Sequence, residues 1–235
     1  MKKLSLFCLP YAGASATIYY KLKSYLNEDI NLVPIELPGR GSRFDEELLT
    51  SIDEVVDDVV DQIKSKVSKE DQYMILGYSF GSLLAYEASK RLEQHPEHLF
   101  LAAFQPPIYE MSSDLLGLKD EEFIQELVKR GGIEADLTKD MSILKYFIPI
   151  MRADFASIAS YRFNELSEKL SCGSTILYTE EDEHSDNIHK WDDIFVKPCE
   201  YKLFTGNHFF IKRDYVRIAT IINRTSARYL YQNTH

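Results

Sequence analysis

Apolar residues along this chain fall into two repeating arrangements. Short runs at residues 4–9, 32–37, 73–76, 99–104, 175–178 and 201–204 are each bounded by proline, glycine or a polar cluster. Such brief, nearly continuous apolar runs suit strands buried on both faces of a parallel sheet. Longer stretches between them repeat at three and four residues. Ile52, Val55, Val56, Val59, Val60 and Ile63 would share one face of a helix whose other face carries acidic residues and a lysine. Residues 83–92 and 215–230 predict two further helices. Strands alternating with helices predict an α/β fold with crossover connections.

One segment departs from the alternation. Residues 115–168 hold several helical patterns and no convincing strand. One pattern, 121–130, runs into Gly131-Gly132, a helix stop, and a longer one spans 141–161 through Pro149. The expectation is a single domain, 1–235, with 115–168 inserted as a helical lid over the sheet edge.

The chemistry enters directly after the run 73–76, at Gly77-Tyr78-Ser79-Phe80-Gly81. A GxSxG pentapeptide arises by chance in about one chain in ten of this length, so its setting carries the reading. Here a strand precedes it and a helix follows. A serine on that sharp turn is pushed out at the sheet's C-terminal edge, while the glycines let helix and strand pass closely. A serine hydroxyl is a weak nucleophile and needs a base, itself oriented by an acid. In α/β-hydrolases the chain order is serine, acid, histidine. His208, between the run 201–204 and the last helix, can reach back over the sheet edge as the base. His95 and His98 are expected on the helix after the elbow, facing away; His184 and His189 precede the last strand, and His235 is terminal. The acid should follow the run 175–178, where Glu180, Glu181, Asp182, Glu183 and Asp186 crowd together. Asp182 is the best placed, and Asp186 stays open as the alternative. Two backbone N–H groups would hold the oxyanion, Phe80 at the start of the helix and Ala12 in the loop after the first strand.

Composition narrows the class. Hydrophobic residues make up 45% of 235, enough for one large core, and 27 basic against 37 acidic residues leave a net charge of −10. That acidity disfavours nucleic acid as a partner. No window supplies the roughly 20 apolar residues of a membrane span, and the apolar run ending at Pro10 is too short for a secretory signal. Three distant cysteines, Cys8, Cys172 and Cys199, predict reduced thiols in a cytoplasmic protein. His95 with His98, and His184 with His189 and Asp186, read as solvated polar residues, so no metal is expected.

Five blocks of the sequence resemble the discrete type II thioesterases of nonribosomal peptide and polyketide assembly lines, members of the α/β-hydrolase superfamily. They are Leu6-Phe7-Cys8-Leu9-Pro10-Tyr11-Ala12-Gly13-Ala14-Ser15, Glu36-Leu37-Pro38-Gly39-Arg40-Gly41-Ser42-Arg43, the GxSxG elbow, Met151-Arg152-Ala153-Asp154-Phe155 and Gly206-Asn207-His208-Phe209-Phe210. The sequence departs at Tyr78, where that family usually has histidine, at Phe104-Gln105-Pro106-Pro107, and in an acid loop without Gly-Asp-Asp-Pro. The resemblance implies an α/β-hydrolase fold and hydrolysis of acyl or aminoacyl thioesters carried on the phosphopantetheine arm of acyl- or peptidyl-carrier proteins. It further implies an editing role and no cofactor of the chain's own; a monomer is the separate expectation. Tyr11, Tyr78, Arg152 and Phe209 are the candidate substrate or lid contacts; Arg40, Arg43 and Arg152 are candidates for a basic carrier-docking patch, with ordinary surface or structural charges as the alternative. The alternatives are a carboxylesterase or lipase-like hydrolase, and an inactive hydrolase fold that binds ligands.

Overall fold

A computed structural model describes residues 3–111, 114–130, 141–182 and 185–231. Six strands, β1 (Leu4–Leu9), β2 (Ile30–Pro34), β3 (Tyr73–Tyr78), β4 (His98–Ala102), β5 (Gly173–Thr179) and β6 (Glu200–Phe204), build one sheet in the order β2-β1-β3-β4-β5-β6. Every pairing in it is parallel. The helices are α1 (Tyr20–Lys23), α2 (Ile52–Lys64), α3 (Phe80–Arg91), α4 (Asp120–Lys129), α5 (Met141–Ser160) and α6 (Tyr215–Leu230).

Side chains alternate across a strand, so each apolar run feeds two cores. Phe7, Leu9, Ile75, Leu99 and Leu101 face α2 and α3. Leu6, Cys8, Met74, Leu76 and Phe100 face the opposite way, into the core shared with Ile218, Ala219 and Ile222 of α6. All six apolar positions of α2 expected on one face are buried. Helix α3 is buried from Phe80 through Ser89, because it lies against the sheet on one side and α2 on the other.

Several boundaries differ from expectation. Strand β2 ends at Pro34 rather than continuing to 37. The last ladder contact is Ile35 N–H to the Cys8 carbonyl at 2.9 Å; Ile35 and Leu37 then pack in the core without pairing. Strand β4 stops at Ala102 because Ala103 takes φ +52°, which breaks extended backbone. Helix α3 starts three residues earlier than expected and ends at Arg91, so His95 lies past it and His98 opens β4.

The inserted segment packs in two ways. Leu115, Phe123, Leu127, Leu144, Ile148 and Met151 form an apolar cluster of their own, joining α4 to the first half of α5. The far end of α5 is tied to the main body. Ser160 Oγ accepts from Ile52 N–H (3.0 Å), and the Tyr161 hydroxyl donates to Glu87 (2.9 Å). Helix α4 ends at Lys129, and the expected stop at Gly131-Gly132 lies outside the described residues. No described helix is long and apolar enough to cross a membrane.

Candidate active site

The elbow is built by backbone contacts that need glycine. A Cβ on Gly77 would lie 2.2 Å from the Gly81 carbonyl oxygen, and one on Gly81 would lie 2.1 Å from that of Leu9. Between them Ser79 is held at φ +52°, ψ −118°, a conformation costing an L-residue on the order of 1–2 kcal/mol. The surroundings impose it. Ser79 N–H donates to the Ala102 carbonyl (2.7 Å), and the buried Ser82 hydroxyl accepts from Ala102 N–H (3.0 Å) and donates to the Gly77 carbonyl (2.9 Å). Ser82 directly follows the GxSxG stretch, and nothing in the spacing flags it.

The turn aims Ser79 at the loop after β6. His208 Nε2 lies 3.0 Å from Ser79 Oγ, and His208 Nδ1 lies 2.8 and 2.9 Å from the two carboxylate oxygens of Asp182. Asp182 follows β5 by three residues, in a turn where its N–H donates to the Thr179 carbonyl (3.4 Å). Asp186 sits in the 3₁₀ segment Ser185–Ile194 and makes no hydrogen bond to His208 among the described residues. Glu183 and His184 lie outside the described residues, as does His235.

Three further groups hold the histidine loop, and sequence reasoning passed over their role. Glu181 accepts from Gly206 N–H (3.1 Å), and the Thr179 hydroxyl donates to the Gly206 carbonyl. Behind the loop, the Tyr78 hydroxyl donates to the His208 carbonyl (2.6 Å) and accepts from Ile211 N–H (3.2 Å). Tyr78 therefore does not face substrate as expected. It is fully buried between the relay and Phe210, and burial pushes its phenol well above the ordinary tyrosine range.

A cavity of about 720 Å³ opens onto Ser79 and His208. Tyr11, Ala12 and Phe209 line it near the serine, and Leu115, Leu127, Met151 and Phe155 supply an apolar roof from the inserted segment. Tyr11 and Phe209 thus sit where substrate contacts were expected. The Phe80 N–H, at the first turn of α3, and the Ala12 N–H have no acceptor among the described residues.

The arginines are each paired within the chain. Arg152 lies outside the cavity, stacked over the Phe123 ring and bonded to Asp120 (2.7 Å). Arg43 is paired with Asp58 (2.8 Å) and Glu46, which hold its guanidinium above its ordinary range. Arg40 is only 4% exposed and clasps Asp154 through its two terminal guanidinium nitrogens (2.6 and 2.7 Å). All three pair with acidic groups of the chain itself, Arg40 buried and Arg43 and Arg152 partly exposed. Asp154 lies 114 positions from Arg40 and Asp120 lies 32 from Arg152, beyond what spacing reveals, whereas Glu46 is only three positions from Arg43.

Among the described residues, no three His, Cys, Asp or Glu converge in a metal-binding group. His95 Nδ1 meets the Ser89 carbonyl (3.1 Å), and His98 sits between Thr175 (2.8 Å) and Tyr229 (3.1 Å). Cys8, Cys172 and Cys199 are free and buried.

Comparison with known proteins agrees with this geometry. A family profile described as the thioesterase domain matches residues 5–225. The gramicidin S biosynthesis protein GrsT of Aneurinibacillus migulanus is 30% identical over 216 residues, covering 89% of this chain and 83% of its own. The crystal structure of ClbQ from the colibactin NRPS/PKS pathway superposes with a TM-score of 0.89 at 28% identity, over 96% of this chain and 97% of that one. The type II thioesterase BorB from the borrelidin biosynthetic cluster gives 0.85 at 26%, over 94% and 92%. The parallel sheet with its serine elbow is the α/β-hydrolase fold, and the chain belongs to the thioesterase domain family of thioester hydrolases.

Proposed function

We propose that this enzyme hydrolyses acyl or aminoacyl thioesters held on the phosphopantetheine arm of carrier proteins, clearing stalled groups from a nonribosomal peptide or polyketide assembly line in the cytoplasm. The hydrogen-bonded chain Ser79–His208–Asp182 beneath an apolar-roofed cavity is the observation that carries the reading. His208 Nε2 takes the proton as Ser79 Oγ attacks the thioester carbonyl. Asp182 holds the Nδ1–H tautomer and balances the imidazolium. The Phe80 and Ala12 N–H groups receive the charge that develops on the carbonyl oxygen. His208 then protonates the leaving thiolate sulfur, and a water activated by the same nitrogen releases the acid from Ser79.

The roof suits an acyl chain, while the phosphopantetheine arm arrives with its carrier, so the reaction calls on no cofactor of the enzyme's own. GrsT, ClbQ and BorB are each named for such biosynthetic pathways, which favours a carrier-bound thioester over a free oxygen ester. Arg40, buried against Asp154, is closed to a docking carrier protein.

The test is turnover of a panel of acyl groups loaded on carrier proteins, beside matched acyl-pantetheine thioesters and oxygen esters. Carrier-bound thioesters should be cleaved fastest, and Ser79→Ala should abolish turnover. Equal rates on oxygen esters would favour a general esterase, and turnover by Ser79→Ala would overturn the serine mechanism.

A further inference from the structure

The loop that carries Ala12 is gripped from two sides by buried carboxylates. On one side Glu36 accepts from the Ser15 hydroxyl (2.6 Å) and Ala16 N–H (3.0 Å). On the other, Asp154 Oδ2 accepts from Gly13 N–H at 2.7 Å, across 141 positions of sequence. Asp154 is 1% exposed, and its two oxygens also take the bidentate Arg40 guanidinium. A buried ion pair is a weak source of stability, because desolvating two charges offsets most of their attraction. Its geometry therefore calls for another reason. Gly13 sits at φ +80°, where a Cβ would strike Met151 at 2.6 Å, so α5 presses directly on this turn.

The Gly13 N–H belongs to the peptide that follows Ala12. Tying it to a fixed carboxylate sets the orientation of that peptide, and through it the direction of the neighbouring Ala12 N–H. Asp154 lies on the same helix as Met151 and Phe155, which roof the cavity. We infer that Asp154, held rigid by Arg40, is a positioning residue for the oxyanion loop, so that seating of the roof helix and aim of the Ala12 N–H are one structural event. This rests on the reading of Ala12 N–H as an oxyanion donor. Asp154 touches no reacting atom; it acts through Gly13.

Three variants test it: Asp154→Asn, the charge-neutral pair Arg40→Met with Asp154→Leu, and the conservative Arg40→Lys. The readouts are kcat and KM on an acyl-pantetheine thioester, the pH profile of kcat, and affinity for a trifluoromethyl ketone, whose serine adduct carries an anionic oxygen. Losing one oxyanion donor costs about 10²-fold or more in kcat. The first two variants should lose about that factor in kcat, shift KM less than about threefold, and keep the limb of the pH profile set by the relay. Ketone affinity should fall in step with kcat/KM, whereas affinity for the product acid should not. Arg40→Lys, which leaves the carboxylate in place, should retain most of kcat. A folded double variant with kcat and ketone affinity near those of the parent would overturn the inference. Failure of every variant to fold would assign the pair to stability and overturn it too. Ser79→Ala in parallel separates the two layers: if it still turns over, the reading of the site itself falls.

Discussion

Replacing Tyr78 with phenylalanine removes one oxygen from behind the histidine loop and leaves the ring contacts with Phe210 and Tyr11 in place. That oxygen serves two backbone groups, the His208 carbonyl at 2.6 Å and the Ile211 N–H at 3.2 Å. Both would be left without a partner in a buried position, where each unsatisfied group costs about 1–3 kcal/mol. Taking the lower half of that range for each gives a loss of about 3 kcal/mol. For a chain of this size the melting temperature should fall by about 6–12 °C. The functional cost follows from geometry. His208 Nε2 sits 3.0 Å from Ser79 Oγ, and loosening the backbone that carries the ring spreads that distance. A displacement of about 1 Å can cost 10²-fold, so a ten- to hundredfold fall in kcat is expected with KM nearly unchanged. Thermal unfolding by circular dichroism and steady-state hydrolysis of an acyl-pantetheine thioester measure the two effects. If Tyr78→Phe melted within 2 °C of the parent and kept its kcat, the phenol would not be the strut of the histidine loop.

Burial lowers His98 to about 4, while the unfolded chain protonates it near pH 6.5. Between those values the unfolded state binds a proton that the fold refuses, so stability falls as pH drops through that window. Urea melts should show the advantage of the parent over His98→Gln shrinking by about 2–3 kcal/mol from pH 7 to pH 4.5; a constant gap would refute the buried neutral imidazole. Gly81→Ala places a methyl 2.1 Å from the Leu9 carbonyl oxygen, backbone that cannot swing away. It should cost about 3 kcal/mol in urea unfolding and depress activity, and a fully stable, active variant would contradict the close passage of β1 and α3. Burial also pushes the Cys172 and Cys199 thiols up to about 12, and raises Cys8 as well. Ellman's reagent at pH 8 should therefore react slowly with the native protein and release three equivalents only in denaturant.

Much of this molecule is legible in its local patterns. The three-and-four spacing of Ile52 through Ile63 identifies a helix and its buried face, and α6 spans the expected residues 215–230. Both follow from periodicity, which reports how a short segment meets a core. The elbow is legible for a similar reason: strand, turn glycines and helix lie within one short stretch of chain. Chain order points to His208 and Asp182, and the structure sets His208 between the two others, Nδ1 against Asp182 and Nε2 against Ser79. It leaves Asp186 outside hydrogen-bond reach of His208.

Other features depended on contacts that no spacing encodes. His98 read as a helix-end residue until β4 formed around it, and Tyr78 read as a substrate contact until the fold placed it behind His208. For Arg40, Arg43 and Arg152 the sequence leaves a docking patch and ordinary surface or structural charges both open, because a charged residue is exposed by default. Each found an acidic partner brought near by folding, Asp154 lying 114 positions from Arg40. Periodicity and motif order, which act over a few residues, determined the elements, the fold class and the candidate relay from the sequence alone. The burial of charge, the bracing of the histidine loop and the tie between roof helix and oxyanion loop were decided only by tertiary structure, because they depend on which distant segments meet.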